Sequence, residues 1–206
     1  MALQLARKSL DIEVILVERT DRPGRGLAYG TTCAEHVVNV VPGRLSAFAD
    51  DPNHFVRWLH RSGMLPAPES FAFVSRHLVG DYLAEMLGAA GPNLTIVQDE
   101  VTTLNDTGAG VEVSLKSSPP LFGDTVILAT GHGWIRQYPE PASVPPDVPV
   151  TILGTGLSMI DRWLSLRTSG HRGPITAVSR LASCPTATPP ASVSTSMHQL
   201  FPSADQ

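Results

Sequence analysis

The chain has 206 residues, of which 42% are hydrophobic, and a formal net charge of −4. This content can fill the core of one large or two small domains. The negative charge argues against nucleic acid as a partner, because no basic stripe is present to neutralise phosphates. No apolar run approaches the ~18 residues of a membrane span, and the start resembles no signal peptide. The two cysteines are far apart in the sequence, which favours a reducing, cytoplasmic setting. Since no membrane span is predicted, we expect no binding to membranes.

The first two predicted elements are the end of a helix, residues 2–9, and a strand, residues 11–18. The strand is apolar nearly throughout, as is typical of a parallel strand covered on both faces. It ends in Glu18-Arg19, where a dinucleotide-binding domain uses a carboxylate to bind the adenosine ribose. The glycine turn of such a domain lies about 20 residues earlier. We therefore expect the chain to begin inside the first helix of a βαβ unit, without its opening strand and phosphate loop.

A glycine-rich loop, R-P-G-R-G-L-A-Y-G, follows at residues 22–30. Gly24 and Gly26 would let it lie close against a ligand, and Arg25 is available for a phosphate. The alternative is an ordinary surface loop rich in glycine and proline.

Two helices are predicted next, at residues 51–60 and at about residues 75–90. Asp50 or Asp51 is the expected cap of the first helix. Its apolar spacing predicts a core face made of Phe55, Trp58 and Leu59. The corresponding face of the second helix comprises Leu78, Tyr82, Leu83, Met86 and Leu87. His54 has no acidic partner nearby in sequence, so we interpret it as a packing or solvated histidine.

Short strands are predicted beyond these helices. They cover residues 94–98, 101–104, 110–115 and 121–128, and the last ends in A-T-G-H. Residues 135–149 are rich in proline and lack periodicity, which favours a linker.

A second glycine turn comes at residues 150–160, V-T-I-L-G-T-G-L-S-M-I. An apolar run breaks at Gly154 and Gly156 and passes into a helical pattern, which predicts strand, tight turn and helix. Because Gly156 has no Cβ, a pyrophosphate could approach the first amides of the helix. Met159 occupies the third position of the G-x-G-x-x-G pattern, so the fingerprint is incomplete.

A further strand is predicted at residues 175–178, where this unit would bind the ribose of its nucleotide. The expected acidic residue is replaced by Ser179-Arg180. A cation there suits a 2′-phosphate, which favours NADPH slightly over NADH; the alternative is a solvated arginine. Residues 182–206 are rich in Ser, Thr, Pro and Ala, and we expect them to be disordered.

In this order the motifs resemble a known family. V-I-L-V-E-R, G-R-G-L-A-Y, H-V-V-N-V, D-P-N-H-F-V-R-W-L, V-I-L-A-T-G-H and I-L-G-T-G-L-S-M-I-D are similar to the FAD-NAD(P)-binding family. This is a branch of the two-dinucleotide-binding-domain flavoproteins, related to flavin monooxygenases and N-hydroxylases. The resemblance implies an α/β, Rossmann-like fold that lacks the first strand and loop of the FAD domain. It implies a partial FAD-binding domain at residues 1–134, the linker at 135–149 and the start of an NAD(P)-binding domain at 150–181.

The resemblance also implies site residues for each cofactor. FAD would contact residues of the first domain: Glu18, Arg19, Arg25, Gly26, His36, Asn39, Arg44, Val101, Thr130 and Gly131. NAD(P)H would contact the second glycine turn and the strand end after it: Gly154, Thr155, Gly156, Leu157, Ser158 and Arg180. Neither a catalytic acid or base nor a metal site is predicted.

The implied activity is that of an FAD- and NAD(P)H-dependent oxidoreductase, in which hydride passes from NAD(P)H to FAD and the reduced flavin reduces a small substrate or activates O₂. One alternative is a non-catalytic remnant or nucleotide-binding module that cannot hold FAD, because the amides that neutralise its pyrophosphate are missing. A hydrolase using Asp161 or a serine is a third possibility, without a G-x-S-x-G motif to support it.

Overall fold

The computed structural model describes residues 1–8, 11–64, 73–131 and 140–179. The chain divides into two compact units, one from Met1 to Trp134 and the other from Ile135 to Gln206. Both units combine helices and parallel strands. The predicted disordered tail and Arg180 lie outside the described residues. None of the helices within the described ranges has the length and apolar character needed to cross a membrane.

The first unit opens with a helix packed on a parallel pair of strands. Helix α1 (Ala2–Lys8) contacts both β1 (Val14–Glu18) and β2 (Leu94–Gln98). The register of the pair places Glu18 opposite Gln98. The helix is confirmed, whereas the strand starts later than predicted. The expectation that β1 is covered on both faces is wrong: in the described ranges it pairs with β2 alone and packs mainly on α1, and none of its residues is fully buried.

The hydrophobic core of this unit lies where three helices meet. These are α2 (Gly26–Tyr29), α3 (His54–Arg61) and α4 (Arg76–Gly88). The core contains Val38, Phe55, Trp58, Leu59, Val74, Val79 and Tyr82. The predicted core face of α3 is confirmed, and the indole Nε1 of Trp58 donates to Glu85 Oε2 at 2.7 Å.

The buried face of α4 differs in part from the predicted one. Tyr82 and Leu87 are buried as expected, and Val79 is buried as well. Leu78, Leu83 and Met86 are only partly buried at the border of the core. Val79 and Tyr82 are three residues apart and so share one face of the helix. The innermost stripe therefore runs through Val79 and not through Leu78.

The starts of α3 and α4 are formed differently. Ser75 caps α4, since its hydroxyl accepts from the amide of His77 at 3.4 Å. Helix α3 starts after Asn53, and no side chain caps it. The prediction that Asp50 or Asp51 caps α3 is wrong. The Asp51 carboxylate binds the guanidinium of Arg57 instead.

The rest of the first unit is an antiparallel sheet of β3 (Val101–Asp106), β4 (Val111–Leu115) and β5 (Leu121–Gly123), in that order. The predicted strand at 121–128 therefore ends early. In the described ranges no strand pairs with residues 124–128, and without a neighbour there is no hydrogen-bonded ladder to form. Ile127 and Leu128 are 52% and 70% exposed.

The second unit contains β6 (Val150–Leu153), α5 (Leu157–Thr168) and β7 (Ile175–Val178). The two strands are parallel, with Val150 opposite Ile175, so the predicted order of strand, turn, helix and strand is confirmed. Trp163 lies on α5, with the guanidinium carbon of Arg167 5.9 Å from its ring centre.

The proline-rich segment is attached to the second unit in the part that is described, residues 140–149. It contains one turn of 3-10 helix, Pro141–Ser143. The amides of Arg172 and Gly173 donate to the carbonyl of Pro146 at 2.6 and 2.8 Å. The end of this segment is therefore fixed beside the turn that joins α5 to β7.

Candidate nucleotide-binding sites

The glycine turn of the second unit joins the end of β6 to the start of α5. Gly154 has φ of +112°, a conformation that favours glycine, and its amide donates to the carbonyl of Val178 at 2.7 Å. Gly156 is the N-cap residue of α5, with an extended backbone. A Cβ added at Gly156 would meet no atom within 4 Å. The turn is thus pinned to the adjacent strand at Gly154 and open at Gly156.

The start of α5 has the electrostatic character of an anion site. No side chain caps it, and its first turn carries no acidic residue. The first amides of an α-helix have no partner within the helix, and the helix dipole places partial positive charge there. Gly156, Leu157 and Ser158 are all exposed at this point. Phosphate oxygens fit such a site, because the amides donate to them without a competing carboxylate.

The ribose of a nucleotide in this unit is predicted to lie at the end of β7. Strand β7 ends at Val178, whose carbonyl accepts from the amide of Gly154, and Ser179 follows it. Arg180 follows directly in the sequence but lies outside the described residues. Its role with the nucleotide stays a prediction.

In the first unit, Glu18, Arg19 and Val101 lie around the carboxyl ends of β1 and β2. Glu18 Oε1 accepts from both the amide and the hydroxyl of Thr20 at 3.0 Å, which fixes the carboxylate. The amide of Asp99, just after β2, donates to the carbonyl of Glu18 at 3.1 Å. Val101 begins β3 directly beyond this point and is 42% exposed. The structure therefore brings the predicted ribose and adenine contacts to one edge.

One carboxylate at this edge, that of Glu100, forms an ion pair with Lys116. The hydrogen bond from Lys116 at 2.9 Å, and then its charge, lowers the pKa of Glu100. Arg19 lowers it further by proximity. The same hydrogen bond raises the pKa of Lys116. Arg19 is exposed and lies near Glu100, one residue before Val101.

The glycine loop, residues 22–30, is held against helix α4. Gly24 and Gly26 have φ of +80° and +51°, which their lack of a Cβ permits. Arg22 Nη1 donates to the carbonyl of Gly30 at 3.1 Å. Arg25 Nη2 donates to Asp81 Oδ1 at 2.6 Å. Arg25, predicted to serve a phosphate, is thus engaged by a carboxylate of α4.

The remaining predicted FAD residues differ in burial. His36 is buried, with Nδ1 2.7 Å from the Thr31 hydroxyl. Asn39, Arg44, Thr130 and Gly131 are exposed, and within the described ranges no hydrogen bond joins them to the other predicted residues. Gly131 has φ of +68°. Contacts between these residues and a flavin remain predictions.

Sequence reasoning missed Asp81. It lies 56 residues after Arg25, so no local spacing links the two. The signal available in the sequence was Gly80, because glycine is unfavourable inside a helix and can mark a position where packing leaves no room for a side chain. A Cβ at Gly80 would lie 2.6 Å from the carbonyl oxygen of Tyr29.

A family model described as FAD-NAD(P)-binding matches residues 1–133. The chain belongs to this family. The resemblance drawn from the motifs is thereby confirmed, and the family is one that binds FAD and NAD(P). The match ends before the glycine turn of the second unit.

The fold is similar to that of a protein of solved structure, bacillithiol disulfide reductase Bdr (YpdA) from Staphylococcus aureus. The TM-score is 0.60 at 18% sequence identity, with 92% of this chain and 56% of that chain covered. This FAD-NAD(P)-binding family member thus spans a little over half the length of that reductase and shares its mixed α/β fold over that part. No curated protein matches the chain.

Proposed function

We propose that the chain is part of an FAD- and NAD(P)H-dependent oxidoreductase of the two-dinucleotide-binding-domain type. The first unit would be the partial FAD-binding domain, and the second the start of the NAD(P)-binding domain. The observation that carries the proposal is the open, uncapped glycine turn at the start of α5, within a parallel β6–α5–β7 unit. Membership in the FAD-NAD(P)-binding family supports the flavin part.

In each unit, part of the predicted set of residues fits a cofactor. At the second unit, no atom lies within 4 Å of a Cβ placed at Gly156, and the amides of the exposed residues Leu157 and Ser158 would donate to a pyrophosphate there. At the first unit, the Glu18 carboxylate, oriented by Thr20, would accept from ribose hydroxyls of FAD. When bound, the cofactors supply the hydride chemistry between NAD(P)H and flavin and then to a small-molecule substrate or O₂. The protein supplies binding and orientation.

A Gly156→Ala variant tests the nucleotide site without disturbing the fold. Since the added methyl group meets no atom within 4 Å and Gly156 has φ of −78°, we expect an unchanged melting temperature. We expect NADP⁺ affinity to fall by about tenfold or more, which corresponds to about 1.4 kcal/mol. Calorimetric titration measures the affinity. The matched control is Gly88→Ala, which adds the same methyl group in open space of the first unit. Equal NADP⁺ affinity in all three proteins would refute the site.

Flavin binding is tested separately by incubating the purified protein with FAD, removing unbound FAD by gel filtration, and measuring flavin absorbance and thermal stability. Near-stoichiometric flavin absorbance and a raised melting temperature support the proposal, because a ligand that binds the folded state stabilises it. Glu18→Gln should weaken FAD binding while leaving NADP⁺ binding unchanged.

A second function is a nucleotide-binding module that holds NADP(H) and no flavin. It is favoured by one observation: in the described ranges, a glycine turn leading from a strand into the start of a longer helix occurs in the second unit alone. Protein that binds NADP⁺ but is colourless once unbound FAD has been removed would establish it. The NADPH preference is tested with Arg180→Ala, which should weaken NADP⁺ more than NAD⁺.

A further inference from the structure

We infer that Asp81 is a positioning residue: it holds Arg25 and thereby fixes the glycine loop on helix α4. Arg25 on this assignment anchors the loop and does not neutralise a cofactor phosphate. The inference rests on the proposed function in so far as the loop is placed beside FAD.

The ion pair between Arg25 and Asp81 is part of the packing of the loop on α4. Arg25 Nη2 lies 2.6 Å from Asp81 Oδ1, and the Arg25 side chain is 16% exposed while that of Asp81 is 51% exposed. A Cβ at Gly80 would lie 2.7 Å from Nη1 and 3.4 Å from Cγ of Arg25. The arginine therefore lies across α4 over the one residue of that turn that has no side chain.

The position of Arg25 explains why the loop needs an anchor. It stands between Gly24 and Gly26, whose positive φ angles mark a backbone with few steric restraints of its own. On its far side, Tyr29 packs against the hydrophobic core. The Arg25–Asp81 pair therefore restrains the loop at the point between its two glycines.

The two roles for Arg25 predict opposite effects of Asp81→Asn. If Arg25 served a phosphate, removing the competing carboxylate would leave the guanidinium charge uncompensated and tighten FAD binding. If Asp81 positions the loop, the same variant weakens FAD binding by about fivefold, the scale of a partly buried ion pair. Asp81→Glu, which keeps the charge, should restore much of the affinity.

Trypsin gives a readout that needs no cofactor, because it cleaves at the Arg25–Gly26 bond. In the protein without added FAD, we expect Asp81→Asn to raise cleavage at this bond several-fold and Asp81→Glu to return it towards the wild-type rate. Cleavage after Arg44, an exposed arginine that the pair does not contact, is the internal control and should not change. Asp81 is half exposed, so equal melting temperatures are expected.

The outcomes are distinct. An unchanged cleavage rate after Arg25 in Asp81→Asn, or FAD binding that is equal or tighter, overturns the inference. If wild-type protein binds no FAD, the proposed flavin function fails, and the trypsin rates alone decide whether Asp81 holds the loop. Faster cleavage with rescue by Asp81→Glu supports it in either case.

Discussion

The hydroxyl oxygen of Tyr82 lies 2.9 Å from Nδ1 of His54. The same oxygen accepts from the amide of Ala47 at 3.2 Å. The hydroxyl hydrogen is then directed to His54, whose Nδ1 accepts it in the neutral imidazole. Tyr82 is fully buried, so this pair of hydrogen bonds joins α4 both to α3 and to the segment before it.

Tyr82→Phe should destabilise the first unit by about 1–3 kcal/mol, because it leaves a part-buried imidazole nitrogen and a part-buried amide without their partners. Urea unfolding followed by circular dichroism measures the change. Tyr29→Phe is the matched control, since the Tyr29 hydroxyl forms no hydrogen bond with the residues that the structure describes. An equally large loss of unfolding free energy in Tyr29→Phe would show that the hydrogen bonds of Tyr82 do not cause the destabilisation.

His54 should make stability depend on pH in the mildly acidic range. Burial, the largest cause, lowers the pKa of His54 from 6.5. Asp51 opposes this shift, and the charges of Arg57, Arg61 and Arg7 add to it. The unfolded chain therefore binds a proton at a higher pH than the folded one. Stability should fall as the pH drops below 6.5 and level off below the folded pKa.

The measurement is the free energy of unfolding from about pH 7.5 down to about pH 5, above the range where most carboxylates titrate. His54→Asn removes the titrating ring, and its curve should be flatter than that of the wild type. A wild-type protein that became more stable as the pH fell through this range would contradict the assignment.

Two glycines of α4 should respond to alanine with opposite signs. At Gly80 the added Cβ would lie 2.6 Å from the backbone oxygen of Tyr29, so Gly80→Ala should destabilise the protein despite the better helix propensity of alanine. At Gly88 no atom lies within 4 Å of the added Cβ, and Gly88→Ala should stabilise it by about 0.5–1 kcal/mol. Thermal unfolding compares the two. Stabilisation by both variants would show that the Tyr29 carbonyl of α2 does not exclude a side chain at Gly80.

Gly173 should be equally intolerant of a side chain. Its added Cβ would lie 2.4 Å from the carbonyl oxygen of Val148 and 2.8 Å from the carbonyl carbon of Asp147. Both atoms belong to the backbone, so relief requires the proline-rich segment to move. Gly173→Ala should accelerate amide hydrogen exchange in α5 and β7, whereas Gly156→Ala should leave it unchanged. Equal protection of the α5 and β7 amides from hydrogen exchange in the two variants would contradict this prediction.

Local patterns predicted the elements well where each element carries its own signal. The alternation of apolar run, glycine pair and helical spacing around Gly154 predicted β6, the turn and α5. The pattern failed where an element depends on a partner distant in sequence. Residues 124–128 have the composition of a strand but no described neighbour to pair with.

The candidate sites show the same division. Glycine positions and the strand-end carboxylate Glu18 could be found from spacing, because a tight turn or strand end has a local signature. The contacts of Arg25 with Asp81 and of His54 with Tyr82 could not be predicted from spacing. Each joins residues far apart in the chain, and only packing of the helices brings them together.

The two indoles described above give each compact unit an intrinsic fluorophore. Trp58 is shielded and donates to Glu85, whereas Trp163 lies under the guanidinium of Arg167 on α5. Variants that keep one tryptophan and replace the others with phenylalanine would emit from one unit at a time. Denaturation curves of these single-tryptophan variants would reveal whether the two units unfold together or in succession.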